Sequence, residues 1–147
     1  MSAPTFGRIL VAVDDSPASL AAVHEAVALA ALSGGVLLFV HVIADGELVR
    51  GLARLGRAEE LDVTRSGAST SLLRHVEAEA HRAGVVAETV SLAGETAGLL
   101  LGQAQAWDAD LVVMGRSDVR GAGRPYVGAV TREVLEFSEV PVLVVRA

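Results

Sequence analysis

The stretch DLVVMGRSDVRGAGRPYVGAVTREVLEFSEVPVLVVRA, residues 110–147, decides the fold. It opens with an apolar run, Leu111-Val112-Val113-Met114, of the length and character of a strand covered on both faces. A loop rich in Gly and Arg runs from Gly115 to Val127, a helix opens at Gly128, and a closing strand Pro141-Val142-Leu143-Val144-Val145 follows. The helix points its unpaired backbone N–H groups back toward the end of the strand before it, which is the geometry of a phosphate cradle. A long surface connection in an α/β domain uses the same small residues for close packing and is the alternative.

Outward from there, Ile9-Leu10-Val11-Ala12-Val13 is a second continuous apolar run and is expected at the centre of the sheet. In Asp14-Asp15-Ser16-Pro17, Ser16 can cap a helix and Pro17 can take its first position. That helix is predicted through about residue 33, with Leu20, Val23, Val27 and Ala30 or Ala31 inward, ended by Gly34-Gly35. Residues 36–42 form the next buried strand and complete a right-handed βαβ unit. Residues 44–66 weaken into an exposed excursion, partly helical at most. Helix signals resume near Ser69, with Leu73, Val76, Ala80 and Ala83 on one stripe, and stop at Gly84.

Residues 85–90 read as a shorter, more polar strand near a sheet edge. Residues 94–107 form a helix with Ala97, Leu100, Leu101 and Ala104 inward, and residues 109–114 the fourth strand. Residues 128–138 form the last helix, with Val130, Val134 and Phe137 on one side, and residues 140–145 the fifth strand. The alternation predicts an α/β fold, a three-layer doubly wound sandwich around a parallel five-stranded sheet. A chain of 147 residues suits one domain over residues 1–147. Such sheets bind ligands beyond the C-terminal strand ends, so Asp14, Val42 and Gly115 should converge on one crevice.

Composition removes several chemistries. The net charge is -6 and all twelve basic residues are Arg, so an acidic chain without a basic run makes nucleic acid a poor partner. Without Lys there is no Lys-centred P-loop, Schiff base or Lys general base. Without Cys there is no disulfide, thiolate nucleophile or Cys-ligated metal. The apolar runs are too short to span a bilayer and residues 1–8 do not resemble a signal peptide, so a cytoplasmic protein away from membranes is expected. His24, His41, His75 and His81 show no metal-binding spacing, and His41, near the crevice, reads as a structural histidine.

Taken together, residues 9–16, the His41-Val42 strand end, residues 110–147 and the closing Val140-Pro141-Val142-Leu143-Val144-Val145 resemble the universal stress protein family over nearly the whole chain. The resemblance implies strand order 3-2-1-4-5, an adenine nucleotide alpha hydrolase-like fold, and dimers. Family members divide into those that bind ATP and those that do not. The ATP binders carry Gly, two residues, Gly, nine residues, then Gly followed by Ser or Thr. Here Gly115 and Gly128 keep that spacing, while Asp118 stands at the second Gly and Ala129 at the hydroxyl position.

By resemblance, Gly115 and the Gly128-Ala129-Val130-Thr131 helix start would meet the phosphates, and Ala12, Asp14, Val42 and Met114 the nucleoside. The missing hydroxyl removes a hydrogen bond worth about 1.5–3 kcal/mol to a charged acceptor. Thr131 is the candidate substitute. Asp118 would repel a phosphate charge at ~5 Å by about 1 kcal/mol in water-like dielectric and about 3 kcal/mol at an effective dielectric of 20. Arg116, Arg120 and Arg124, or a Mg²⁺ ion bridging Asp118 and phosphate, would offset it. The implied cofactor is therefore ATP or another adenine nucleotide, with Mg²⁺ as an accessory ion.

The expected activity is binding in a stress response, not catalysis. One alternative is a member that binds no ATP and works through protein partners; another is a weak nucleotide hydrolase, for which Asp14, Asp15 and Asp118 could hold a metal but no nucleophile or base is evident. The acidic pair also resembles a phosphoacceptor receiver domain, but residues 85–93 contain no Asp and the chain no Lys. Asp14 has a plainer role at the start of the following helix, and Asp15 is better suited than Asp14 to serve there alone. At the sheet edge, Val142-Leu143-Val144-Val145 predicts a homodimer through antiparallel pairing with a second copy.

Overall fold

The computed structural model describes residues 5–43, 58–116 and 127–147. Along the chain come β1 (Arg8–Ala12), α1 (Pro17–Ser33), β2 (Val36–Ile43), α2 (Ala58–Arg82), β3 (Ala87–Ala93), α3 (Thr96–Ala106), β4 (Leu111–Gly115), α4 (Ala129–Phe137) and β5 (Val142–Val145). The strands pair in parallel in the order β3-β2-β1-β4-β5, as expected. Leu10 sits between Leu38 and Val112, which fixes the central register.

The unbroken apolar runs are explained by where alternate side chains go. Ile9, Val11, Leu37, Phe39, Leu111 and Val113 pack against α1 and α2 through Ala22, Val23, Ala26, Leu73, Val76 and Ala80. Leu10, Leu38, Val40, Val112 and Met114 pack on the other face against Ala97, Leu100 and Ala104 of α3 and Val134 of α4. A strand clothed on both faces has no position for a polar residue. Alanines on the α1 face let helix and sheet approach closely, so a core nearly without aromatic rings still fills.

Several local expectations are corrected. Leu20 is 37% exposed, whereas Ala18, Ala22 and Ala26 are buried, because the α1 stripe is set by close backbone approach and not by side-chain size; of the expected alternatives Ala30 and Ala31, Ala30 is the buried one. Ala83 is exposed, beyond the last turn of α2. In α4 the buried pair is Thr131 and Val134, while Phe137 is 60% exposed; positions i and i+3 face the sheet and the third apolar residue faces out.

β3 spans Ala87–Ala93 and is not the short strand expected over 85–90; it follows β2 residue by residue until Ile43 meets Ala93. α2 begins at Ala58, well before Ser69. No proline interrupts the sequence from there to Arg82. The rest of the predicted excursion, residues 44–57, lies outside the described residues. At the end of α1, Gly34 adopts φ 73°, the left-handed cap that glycine accepts without strain.

Candidate functional site

β1, β2 and β4 end on the same side of the sheet, and their C-terminal residues floor a cavity of about 260 Å³. Ala12, Val40, Val42 and Met114 supply an apolar base, with Leu100 and Thr96 of α3 on one flank and Val130 and Thr131 of α4 on another. Asp14, Gly115 and Arg116 stand at its rim. The convergence follows from parity: residues 12, 40, 42 and 114 belong to the sheet face that α3 and α4 cover, and the cavity is where that cover stops.

The β1–α1 turn is held by a closed set of hydrogen bonds. Asp14 Oδ1 accepts from Ser16 N at 2.7 Å, and Ser16 Oγ accepts from Ser19 N at 3.2 Å as the N-cap of α1. Ser19 Oγ accepts from Asp14 N at 2.8 Å and donates to Ala12 O at 3.3 Å. Ser16 therefore caps, as expected, and Asp14 rather than Asp15 braces the turn: a carboxylate two residues before a free N–H closes an Asx turn. The same bonds hold the exposed Asp14 carboxylate at the cavity rim.

Gly115 is explained differently from its sequence reading. A Cβ there would lie 2.6 Å from Ala18 C, 2.7 Å from Ser19 N and 2.8 Å from Ala18 O. The space above Gly115 is thus filled by the first turn of α1, and glycine is required for that backbone contact before any ligand is considered. Thr131 is buried and its hydroxyl donates to Gly115 O at 3.1 Å, which uses its one proton. Gly128 N-caps α4 without a side-chain hydrogen bond, so the first N–H groups of that helix receive no acceptor from their cap residue.

Of the residues singled out in the sequence, Ala12, Asp14, Val42, Met114, Gly115, Val130 and Thr131 meet around the cavity. Ala129 instead opens on a neighbouring concavity beside Glu95, Arg132 and Glu133, and Gly128 is the cap residue behind the wall. Ser16, Ser19, Thr96 and Leu100 join the lining although sequence reasoning passed over them. The capping pattern marked Ser16, and the three-residue step to Ser19 was available; Thr96 and Leu100 come from a helix brought there by topology alone.

Arg116 combines two unusual features. Its backbone N donates to Val145 O at 2.7 Å, which ties the loop to β5. Its Nε is buried with no hydrogen-bond partner among the described residues. Asp118, Arg120 and Arg124 lie outside the described residues, and among those described no group of three metal-ligating side chains comes together.

His41 lies on the α2 side of the sheet, the face opposite the cavity floor. Its Nδ1 is 2.7 Å from Ser69 Oγ, which is 2.8 Å from Ser91 Oγ, so it is the hydrogen-bonded structural histidine expected. Burial lowers its pKa, opposed by the negative charges of Asp14 and Asp15.

Comparison with known proteins agrees with this fold. The model of the universal stress protein family matches residues 5–146. Universal stress protein YxiE of Bacillus subtilis is 30% identical over 149 residues, spanning 96% of this chain and 99% of that protein. Universal stress protein UspA from Lactobacillus plantarum superposes with a TM-score of 0.83 at 25% identity, over 96% of this chain and 98% of its own. The universal stress protein from Archaeoglobus fulgidus in complex with dAMP gives 0.70 at 23% identity, over 96% and 98%. Among the described residues no helix is long and apolar enough to cross a membrane.

Proposed function

The chain belongs to the universal stress protein family, and on that premise we propose that it is a stress-response module that works by binding an adenine nucleotide at the C-terminal ends of β1, β2 and β4. The carrying observation is the pairing, in one cavity, of an apolar floor of Ala12, Val40, Val42 and Met114 with the cationic Arg116 and the uncapped α4 N-terminus. A purine needs the first and its phosphate the second. The dAMP complex of the Archaeoglobus fulgidus protein supports the ligand class. A Mg²⁺ ion would screen a polyphosphate from Asp14 at the rim.

Binding without turnover is the reading in keeping with what two of the lining hydroxyls already do. Ser19 accepts and donates within the β1–α1 turn, and Thr131 donates to Gly115 O. Neither is placed beside a base as a nucleophile would be. Equilibrium dialysis with ATP, ADP, AMP and cyclic AMP, each with and without Mg²⁺, tests the reading. Saturable binding supports it; no binding at millimolar nucleotide removes it and leaves a member that acts through protein partners, the reading that Ala129 favours. ATP turnover above that of an Asp14→Ala control would make the protein an enzyme.

The same reading gives a cytoplasmic homodimer. β5 is an edge strand, and Leu143 on it is 40% exposed. A second copy pairing antiparallel across a twofold axis would satisfy its free backbone groups and cover that side chain. A sedimentation mass that stays monomeric at all concentrations would end the dimer proposal.

A further inference from the structure

Resting on the nucleotide reading above, we infer that Arg116 is the anion-recognising residue of this cavity, and that it makes the site select a phosphorylated nucleoside over the bare nucleoside. The Arg116 Nε–H is shut away from solvent and donates to none of the described residues. A guanidinium nitrogen in that state is costly, because it has lost water and gained no acceptor. Such orphans are rare in folded proteins and ask for a missing partner. No described carboxylate forms an ion pair with Arg116; the ion pair formed among the described residues is His24–Glu79, on the surface between α1 and α2.

The position of the side chain supports an anion as the partner. Arg116 leaves β4 from a backbone fixed by its 2.7 Å bond to Val145 O, so its origin does not wander. It lines the same cavity as Val130 and Thr131 at the uncapped start of α4, where the helix dipole already favours negative charge. At the start of α4 itself, position 129 carries no hydroxyl and the Thr131 proton goes to Gly115 O. Among the described residues Arg116 is the cavity's one cationic donor. Turned toward the cavity, a planar guanidinium can present Nε and one Nη together to two oxygens of a phosphate, a fork that neither Lys nor Ser reproduces.

Isothermal titration with adenosine and AMP on the wild-type protein, Arg116→Gln and Arg116→Lys, at low and high salt, tests this. Wild type is expected to bind AMP at least about tenfold more tightly than adenosine, with the advantage shrinking in salt. Arg116→Gln should lower AMP affinity about ten- to a hundredfold and bring the AMP-to-adenosine ratio toward one, with Arg116→Lys between. Thermal melts establish that each variant folds. If Arg116→Gln does not fold, the wild-type ratio and Arg116→Lys decide, and a wild-type ratio below about threefold overturns the inference. AMP binding by a folded Arg116→Gln equal to wild type overturns the inference and leaves the nucleotide reading standing. Failure of the wild type to bind either compound overturns both.

Discussion

Arg8 and Arg116 stand at opposite ends of the sheet, and their surroundings differ. At the N-terminal end, Arg8 Nε donates to Trp107 O at 2.9 Å, its guanidinium lies 4.1 Å from the Trp107 ring centroid, and the Asp110 carboxylate receives Gly7 N at 2.9 Å and Arg8 N at 3.2 Å. Ser33 Oγ closes the same end on Phe6 O at 3.1 Å. At the C-terminal end, Arg116 Nε meets no partner among the described residues, Gly128 offers α4 no side-chain cap, and position 129 carries no hydroxyl. One end spends its polar groups on the fold. The other holds a charged donor in reserve, which a fold gains nothing by doing unless something else arrives to accept.

That contrast can be broken first at Gly115, which belongs to the ligand end by position and to the fold by packing. Gly115→Ala places a methyl against three backbone atoms of α1 and should cost about 3 kcal/mol in urea unfolding. A loss below about 0.5 kcal/mol would mean that the glycine is there for a ligand after all. Next is Asp110→Ala, which leaves the Gly7 and Arg8 N–H groups to solvent and should cost about 2 kcal/mol with nucleotide affinity unchanged. A change in affinity on that substitution would show that the two ends are not independent.

The His41 region gives a smaller, pH-dependent effect. Burial keeps its pKa below the ordinary 6.5, so the unfolded chain takes up a proton before the native one does. Stability from this group is present above pH 6.5 and declines as the pH falls from there through the native pKa. Chemical denaturation between pH 7.5 and 5 should show that decline in wild type and less of it in His41→Gln, and an imidazole titration midpoint at or above 6.5 would contradict the burial account. Smallest is Gly128→Ser, which restores a cap and should stabilise by a few tenths of a kcal/mol.

The layers and the crevice were legible because they follow from periodicity, and the strand order came with the family resemblance. Runs such as 9–13 and 111–114 could be read as strands clothed on both faces, and parallel connections leave few orders to choose from. What stayed hidden depends on distances between residues remote in sequence. Gly115 carries in its letter the need for a close approach but not whether helix or ligand does the approaching. Thr131 looks like a free hydroxyl until Gly115 O is found 3.1 Å away. Leu20 and Phe137 misled because helix stripes were assigned by residue size, whereas alanines make the tightest contacts on α1. Arg116 was one of three loop arginines in the sequence, and the burial of its Nε is not written in the letters around it.

The most direct test follows the Arg116 Nε–H resonance by ¹H–¹⁵N NMR as AMP is added to the wild-type protein. A saturable shift of that resonance, with the amides of Ala12, Met114 and Val130 moving and those of Gly7, Arg8 and Asp110 still, is the predicted result. An Nε–H signal unmoved at millimolar AMP, or shifts concentrated around Arg8 and Asp110, would contradict the account.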